Sequence, residues 1–330
     1  MLFWLYINKL NFQKIKNLFL LQASYWWSYL ITKPCIRAVP VSYSIEPLNY
    51  CNLRCPECFV GNGELTRPKQ ILEVANFQKI INQLPSETSY LTLYFQGEPL
   101  LHPEFAELVR IAKKRNIFTS TSTNGHFLAS REKAREIVQS GLNRLIISLD
   151  GTTQEIYEKY RQNGNFQKVI DGIRNVVEIK KELKSATPFV EVQFLVMRHN
   201  EHQISDIKLL SKFLKINKLT LKSAQIYDFT NGSELMPENK KYCRYQKQKD
   251  GSFRIKGRQY NRCWRQWSSA VITCNGDLVP CCFDKNANYV FGNLFEKPLK
   301  EIWRNEKARN FRQAILSNRK NMDICNNCSQ

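Results

Sequence analysis

The stretch CNLRCPEC, residues 51–58, decides how this sequence is interpreted. It places three cysteines in a Cys-x3-Cys-x2-Cys run just after an extended apolar segment. A four-iron cluster needs four ligands, usually thiolates. Three thiolates in one short loop can hold three irons and leave the fourth iron an open position, where a small molecule can be bound and activated. A zinc knuckle or three buried thiols would give the same triplet, so the rest of the sequence has to separate these alternatives.

From Val41 to Ile226 the sequence alternates short β-branched runs with helical patterns, which is typical of βα units around a parallel sheet. The predicted strands are Ser42–Ile45, Tyr90–Phe95, Phe118–Thr121, Leu145–Leu149, Val190–Val196 and Leu219–Ala224. The predicted helices are Asn76–Leu84, Pro103–Arg115, Arg131–Ser140, Phe166–Leu183 and Gln203–Leu214. Six such repeats are fewer than the eight that close a full barrel.

Polar motifs follow three further strands in the same way that the cysteine loop follows the first. They are Gln96-Gly97-Glu98-Pro99, Thr123-Asn124-Gly125 and Ser148-Leu149-Asp150-Gly151. Ligands of such sheets bind beyond the carboxyl ends of the strands. Each motif alone is commonly a turn. Their occurrence at successive strand ends behind the cysteine loop predicts one shared ligand site.

With these motifs the sequence resembles the radical S-adenosylmethionine (SAM) enzymes from about Val41 to the C-terminus. The resemblance implies an α/β fold, a partial (β/α)6 barrel with a small C-terminal cysteine-rich hairpin and helix extension. It also implies a [4Fe-4S] cluster on Cys51, Cys55 and Cys58, whose open iron chelates the amino and carboxylate groups of SAM. One electron then splits SAM into a 5′-deoxyadenosyl radical that abstracts hydrogen from substrate. This chemistry belongs to the cofactor, while the protein binds and orients.

The resemblance also suggests which residues contact SAM, through their side chains or their backbone. They are Gln96, Gly97, Glu98, Asn124, Ser148, Asp150 and Arg161. The motif containing Glu98 resembles the Gly-Gly-Glu element that receives the methionine amino group, and Ser148 and Asp150 are expected near the ribose. Arg161 stands where relatives place an arginine on the methionine carboxylate, although a solvated charge at a helix end is the alternative. The family often has an aromatic residue before the third cysteine, but here that position is Glu57.

Residues 263–330 resemble the auxiliary-cluster extension of SPASM or shortened twitch-type radical SAM enzymes. They contain a predicted hairpin, Ala270–Cys274 and Asp277–Cys282, joined by the turn Asn275-Gly276. The cysteine count fits one second [4Fe-4S] cluster, although a zinc ribbon could use the same thiols. The expected ligands are Cys263, Cys281, Cys325 and Cys328. Successive residues of a strand point to opposite faces, so Cys282 is expected to be a packed thiol.

Composition sets wider limits. A chain of 330 residues can hold a main domain and a smaller one, and we divide it at 1–40, 41–226, 227–262 and 263–330. Eleven cysteines with clustered spacing indicate metal binding in a reducing compartment, the cytoplasm. The net charge of +20 implies attraction to a membrane surface, nucleic acid or an acidic peptide, or serves solubility alone. No RNA-binding motif supports nucleic acid as a partner.

The first forty residues mix aromatic residues and leucine with lysine and contain no acidic residue. Their apolar runs are too short and interrupted to span a bilayer, and no signal-peptide cleavage pattern is present. A basic, aromatic amphipathic helix can lie on a membrane surface or pack on the neighbouring domain. Peripheral membrane association and packing therefore remain alternatives for this segment.

The predicted function is reductive cleavage of SAM and hydrogen abstraction from a substrate, with a peptide or protein favoured for oxidation, crosslinking or epimerisation. A small-molecule dehydrogenase acting on a sugar or aminocyclitol is the alternative. A non-catalytic iron–sulfur scaffold is a third possibility, but a scaffold has no need of the SAM-contacting set. The resemblance implies an electron donor such as flavodoxin or ferredoxin.

Overall fold

The computed structural model describes Lys9 and residues 11–329. Its centre is a nine-stranded sheet in the order β11-β10-β9-β1-β2-β3-β4-β5-β6, and a separate two-stranded sheet pairs β7 with β8. Strands β1 to β6 pair in parallel, each with its successor along the chain. This is the α/β partial barrel expected from the sequence.

The six predicted strands are all present, with bounds that shift by a few residues. The strands are β1 (Ser42–Ile45), β2 (Tyr90–Thr92), β3 (Phe118–Thr123), β4 (Arg144–Ser148), β5 (Phe189–Val196), β6 (Lys218–Ser223), β7 (Tyr245–Lys247), β8 (Phe253–Ile255), β9 (Ser269–Ile272), β10 (Asp277–Val279) and β11 (Gly292–Asn293). The largest shift is in β2, which ends at Thr92 instead of Phe95.

Helices separate the parallel strands and cover the sheet. They are α1 (Phe12–Ile31), α2 (Val74–Gln83), α3 (Phe105–Lys114), α4 (Arg131–Ser140), α5 (Gln154–Tyr160), α6 (Phe166–Glu182), α7 (Ile204–Phe213), α8 (Arg265–Ser268), α9 (Leu299–Ile302) and α10 (Glu306–Asn318). Helix α5 was not among the predicted helices. Its N-cap is Thr153, whose side chain accepts a hydrogen bond from the Ile156 amide.

The main core lies between the sheet and its covering helices. Ile45, Leu91 and Ile147 from the strands and Phe77 and Phe105 from the helices are all fully buried within it. Parallel strands covered by helices need apolar residues along most of their length. This explains why strand prediction from short β-branched runs succeeded here.

The C-terminal strands extend the barrel sheet instead of forming a sheet of their own. Strand β9 pairs in parallel with β1, and β10 returns antiparallel to β9. The prediction that the second hairpin strand continues to Cys282 was wrong, because β10 ends at Val279. Pro280 follows, and proline has no amide hydrogen to continue a ladder. No helix among the described residues is both long and apolar enough to cross a membrane.

Candidate metal and SAM site

The cysteine loop follows the carboxyl end of β1 and is fixed by backbone hydrogen bonds. The Glu98 amide donates to the Tyr50 carbonyl at 2.9 Å, and the Arg54 amide donates to the Gln162 carbonyl at 3.0 Å. Gly97 has φ +74°, and a Cβ there would lie 2.6 Å from the Tyr50 carbonyl oxygen. Glycine is therefore required where the loop after β2 crosses the cysteine loop.

The three thiols of this loop interact electrostatically with one another. The pKa of Cys51 is raised to about 12, mainly by burial and to a smaller extent by negative charge on Glu98, Cys55 and Cys58. Burial also raises the pKa of Cys55, while the Arg161 guanidinium, 3.7 Å from its sulfur, opposes that effect. Such thiols give up their protons when a metal binds, so the donor set fits a metal cluster.

Arg161 reaches the cysteine loop because Asp150 holds it there. The Arg161 Nε donates to Asp150 Oδ2 at 2.6 Å, and the Leu195 amide donates to Asp150 Oδ1 at 2.7 Å. The Asp150 side chain is not exposed at all, and its partners are within the protein. Asp150 thus orients Arg161. The ribose contact predicted for Asp150 stays a prediction, and so does the carboxylate contact of Arg161.

Glu98 is similarly engaged within the protein. Its carboxylate accepts hydrogen bonds from the Thr123 hydroxyl at 2.6 Å and from the Asn124 amide at 2.7 Å. Burial raises the pKa of Glu98, and these hydrogen bonds counteract that shift. Asn124 in turn donates to Asn52 Oδ1 at 2.8 Å, within the cysteine loop. The predicted SAM residues after β2 and β3 are therefore connected to that loop through hydrogen bonds.

The remaining predicted contacts differ in accessibility. Ser148 is half-buried at the end of β4, and Gln96 is buried beside Gly97. Asn200, in the loop after β5, is fully buried. Its side chain donates to the carbonyls of Asp150 and Leu195 and accepts from the Met197 amide. This arrangement gives Asn200 a role in fixing the loops.

A lysine from the C-terminal domain lies on the cysteine loop, and the sequence analysis missed it. The Lys285 Nζ lies 4.9 Å from the centre of the Phe59 ring and 4.1 Å from that of Tyr227. Burial lowers the pKa of Lys285 to about 8, against the opposing charges of Cys58 and Glu57. The Glu57 carboxylate accepts a hydrogen bond from the Tyr227 amide at 2.8 Å. The only signal for Lys285 in the sequence is its position shortly after Cys281, a predicted metal ligand.

Tyr94, just after β2, lies between the two cysteine-rich parts of the molecule. Its pKa is raised mainly because its hydroxyl is surrounded by protein atoms, although the side chain as a whole is 38% exposed. Cys58 on one side and Cys282 on the other both contribute to that shift. Tyr94 thus lies near both cysteine groups.

The C-terminal cysteines also come together. Cys281 interacts electrostatically with Cys263 and Cys325, and Cys325 interacts with Cys263 and Cys328. Burial raises the pKa of Cys325 to about 11, and the Arg319 guanidinium counteracts the shift. The four predicted auxiliary ligands are therefore neighbours, and a nearby arginine reduces the repulsion among thiolates. Whether they bind a cluster stays a prediction.

Cys282 is close to the same group. The Arg265 Nη1 donates to the Cys282 sulfur at 3.3 Å, and Cys282 packs against Phe95 and Val279. Because β10 ends before this cysteine, strand alternation no longer separates it from Cys281. Cys274, in contrast, lies beside Glu46, away from both groups.

No group of three or more His, Cys, Asp or Glu side chains in the described part of the chain is arranged to hold a single metal ion. The sulfur donors of the two cysteine groups match the thiolate ligands of iron–sulfur clusters. The two cysteine groups therefore fit the two iron–sulfur clusters that the sequence predicts.

Comparison with known families gives two matches. The model of the radical SAM superfamily matches residues 45–207, and the model of an iron–sulfur cluster-binding domain, SPASM, matches residues 263–329. The second match contains Cys263, Cys281, Cys325 and Cys328.

Three curated relatives illustrate the range of activities. A tungsten-containing aldehyde ferredoxin oxidoreductase cofactor-modifying protein of Pyrococcus furiosus is 26% identical over 319 residues, which cover 86% of each chain. PqqA peptide cyclase of Bradyrhizobium diazoefficiens is 27% identical, with 60% of this chain and 51% of that protein covered. Mycofactocin maturase MftC of Mycobacterium ulcerans is 29% identical, with 52% and 44% covered. The matched regions span about half the length of the last two.

Solved structures share the fold. Streptococcus suis SuiB bound to precursor peptide SuiA superposes with a TM-score of 0.63 at 15% identity, covering 88% of this chain and 71% of SuiB. BtrN in complex with AdoMet and 2-DOIA superposes with a TM-score of 0.53 at 16% identity, covering 89% of this chain and 95% of BtrN.

Proposed function

The chain belongs to the radical SAM superfamily and has a C-terminal iron–sulfur cluster-binding domain, and on this premise we propose that it modifies a peptide or protein. The observation that carries the proposal is the meeting of both parts at one site. Lys285, from the C-terminal domain, lies on the aromatic rings beside the Cys51–Cys58 loop. The peptide-modifying relatives support the choice of substrate.

Cys51, Cys55 and Cys58 would hold the first cluster, which when bound would supply the electron for reductive cleavage of SAM. The side chains bind and orient. Arg161 presents its guanidinium to the SAM carboxylate, because Asp150 holds the Nε edge on the other side. Asn124 and the backbone around Gly97 contact the rest of the methionine group. Ser148 contacts the ribose.

Lys285 gives this site a preference for negative charge. No ion pair of its ammonium is present among the described residues, and the rings of Phe59 and Tyr227 hold it in place. The net charge of +20 attracts acidic chains over longer distances. We therefore expect a substrate segment with a carboxylate near the modified residue.

The test is anaerobic reconstitution followed by assay with SAM and dithionite. Formation of 5′-deoxyadenosine is expected without substrate, at a low rate, and at a higher rate with the correct peptide. Candidate peptides come from short reading frames beside the gene, and mass spectrometry after coexpression detects loss of hydrogen or incorporation of solvent deuterium. No 5′-deoxyadenosine under any condition would indicate a non-catalytic scaffold. Turnover that a small molecule stimulates, and no peptide does, would favour the dehydrogenase alternative.

We also propose that a flavodoxin or ferredoxin donates the electron and docks near Cys328. A cavity of about 410 Å³ adjoins this cysteine and contains four cationic side chains and no acidic one. They are Arg254, Lys256, Arg258 and Lys320. Small redox proteins of these classes are acidic, so charge complementarity would speed their association.

Replacing Arg254, Lys256 and Arg258 with glutamate should slow SAM cleavage driven by reduced flavodoxin at least tenfold, because like charges then oppose docking. Cleavage driven by dithionite should be unchanged. The control is Lys208→Glu with Lys212→Glu, which adds negative charge on α7, remote in sequence from Cys328. Equal loss with both reductants would argue against a docking role.

The membrane contact considered for the first forty residues is the third proposal. Its support is the number of large apolar side chains that α1 exposes.

A further inference from the structure

Helix α1 buries a mostly polar face and exposes an apolar face, which is the reverse of an ordinary surface helix. Its buried stripe follows the usual helical spacing but is mostly polar, with Lys14, Asn17, Leu21, Ser24, Tyr25 and Ser28. A helix that only covers a protein surface presents apolar residues inward and polar residues to water. The reversal needs a reason on each face.

On the inner face the polar groups bind the backbone of residues 35–39. The Asn17 side chain donates to the Val39 carbonyl at 2.9 Å and accepts from the Val39 amide at 3.2 Å. The Ser28 hydroxyl accepts from the Cys35 amide at 2.8 Å, and the Ser24 hydroxyl accepts from the Arg37 amide at 3.3 Å. These bonds satisfy an irregular segment that would otherwise bury unpaired amides.

The outer face is apolar and aromatic. Nine large apolar side chains of α1 are exposed, from 40% for Ile31 to 79% for Phe12. They are Phe12, Ile15, Leu18, Phe19, Leu20, Trp26, Trp27, Leu30 and Ile31. Scattered exposed leucines are normal, but a contiguous set of this size on one helix marks an interaction surface.

The charged residues around the apolar face of α1 indicate what kind of partner covers it. The sequence contains no acidic residue before Glu46. Lys16 lies within α1, Lys33 follows it, and Arg37 lines a cavity together with Leu20 and Trp27. Tryptophan prefers the boundary between lipid headgroups and acyl chains. A helix of this type lies in the membrane plane, and cationic residues bind anionic lipid. A protein partner would not require the absence of carboxylates over the whole segment.

We propose that the outer face of α1 inserts into the interface of a membrane that contains anionic phospholipid, with the helix axis in the membrane plane. This deepens the proposed membrane contact and does not depend on the radical chemistry. The inner face contacts Val39, ahead of the amino end of β1, whereas the cysteine loop follows the carboxyl end of that strand. The proposed membrane contact and the SAM site are thus at opposite ends of β1.

The experiment is flotation of the full-length protein with vesicles of phosphatidylcholine alone or mixed with phosphatidylglycerol. The protein should float with the mixed vesicles, and added salt should weaken binding without abolishing it, because only the electrostatic part is screened. The triple variant Phe19→Ser, Trp27→Ser and Leu30→Ser should lower partitioning at least tenfold. These side chains are exposed, so circular dichroism and SAM cleavage should match the wild type.

The matched control is Leu209→Ser with Phe213→Ser, which removes two exposed apolar side chains from α7 and should leave partitioning unchanged. Salt-independent failure to float would overturn the proposal. So would a wild-type dimer, measured by light scattering, that the triple variant converts to monomer without any vesicle binding, because a second copy would then cover α1.

Discussion

At the scale of single residues, the cysteine loop gives the most direct prediction. Replacing Cys51, Cys55 or Cys58 with alanine should abolish 5′-deoxyadenosine formation, because three thiolates are the minimum that holds the cluster with one open iron. The fold should survive, since the loop lies outside the strands and helices. The measurement is product quantification by chromatography together with circular dichroism. Undiminished cleavage of SAM in any one variant would contradict the assignment.

The auxiliary site gives a second prediction, which concerns two adjacent cysteines. In a variant with Cys51, Cys55 and Cys58 all changed to alanine, about four irons per chain should remain, as one further four-iron cluster requires. Adding Cys281→Ala should remove them, and adding Cys282→Ala should not. Iron and sulfide are measured together on the same samples.

The comparison of Cys281→Ala with Cys282→Ala tests the assignment strictly, because both cysteines lie in the bend after β10 and near the other thiols. If the iron is lost with Cys282→Ala and kept with Cys281→Ala, then Cys282 is the ligand and Cys281 is not. Zinc in place of iron would favour the alternative interpretation of these cysteines as a zinc ribbon.

His126 predicts how stability depends on pH. The Asn165 amide donates to its Nε2 at 2.7 Å, and burial lowers the pKa of the imidazole to about 4. The unfolded chain therefore binds more protons than the folded chain between about pH 4 and 6.5, so stability falls as the pH decreases through that range. The difference between pH 7 and pH 5 should be about 1–2 kcal/mol, allowing for solvent exposure.

Urea unfolding at both pH values measures this difference, and His126→Gln should reduce the change by that amount. Equal pH dependence in the variant and the wild type would show that His126 is not responsible.

The sequence could predict which residues gather at the SAM site but not how several of them act. Their position after successive parallel strands is enough to bring Glu98, Asn124 and Asp150 to one end of the sheet. Their hydrogen bonds depend on the loops of other strands. The engagement of Asp150 with Arg161, and of Glu98 with Thr123, thus appears only in three dimensions.

At the scale of elements, a buried ion pair fastens the C-terminal domain to the barrel. The two terminal nitrogens of Arg67 each donate a hydrogen bond to a carboxylate oxygen of Glu46 at 2.7 Å. The Arg67 Nε donates to the Lys285 carbonyl at 2.9 Å. The Glu46 side chain has no exposed surface. The pair therefore fixes the loop that delivers Lys285.

Arg67→Met should destabilise the protein by about 3–5 kcal/mol, because it leaves the Glu46 carboxylate buried without its partner. Arg110→Met is the control, since its exposed pair with Glu107 should matter by less than about 1 kcal/mol. Thermal unfolding of both variants measures the effect. Equal unfolding temperatures would refute the account.

Prediction from the sequence worked best for elements whose pattern is set by burial in the sheet. The strand Ser42–Ile45 and the helix Arg131–Ser140 have the predicted bounds. Strand β10 was predicted too long, because Pro280 was not taken as its end. The reversed polarity of α1 was also out of reach, because an amphipathic pattern shows that a helix has a polar and an apolar face but does not show which face contacts the protein.

At the scale of the whole molecule, the sheet makes the two family regions one structural unit. Strand β9 pairs with β1 along its full length, and Trp267 packs against Leu21 and Tyr25 of α1. The predicted domain boundary at residue 263 stays a prediction, while the sheet continues across it. Sequence patterns could not show this pairing, because residues far apart along the chain form it.

A chain that ends at residue 262 should therefore aggregate instead of folding, because β1 would become an exposed edge strand. Size-exclusion chromatography of this truncation measures the outcome, and coexpression of residues 263–330 as a separate chain should restore some soluble complex. A soluble monomer that unfolds cooperatively would show that the barrel is independent of β9.

The pairing of β1 with β9 also governs the order of events during synthesis. The ribosome completes β1 at Ile45 but reaches Ile272 only after a further 227 residues (272 minus 45). At about 5–20 residues per second, that delay is roughly 11–45 seconds. During it the nascent chain has an open edge, with the Cys51–Cys58 loop already translated and the auxiliary cysteines after Cys263 not yet made. A cluster loaded onto this loop before release would thus be loaded onto an unfinished sheet, whose β1 edge stays unpaired until β9 is made.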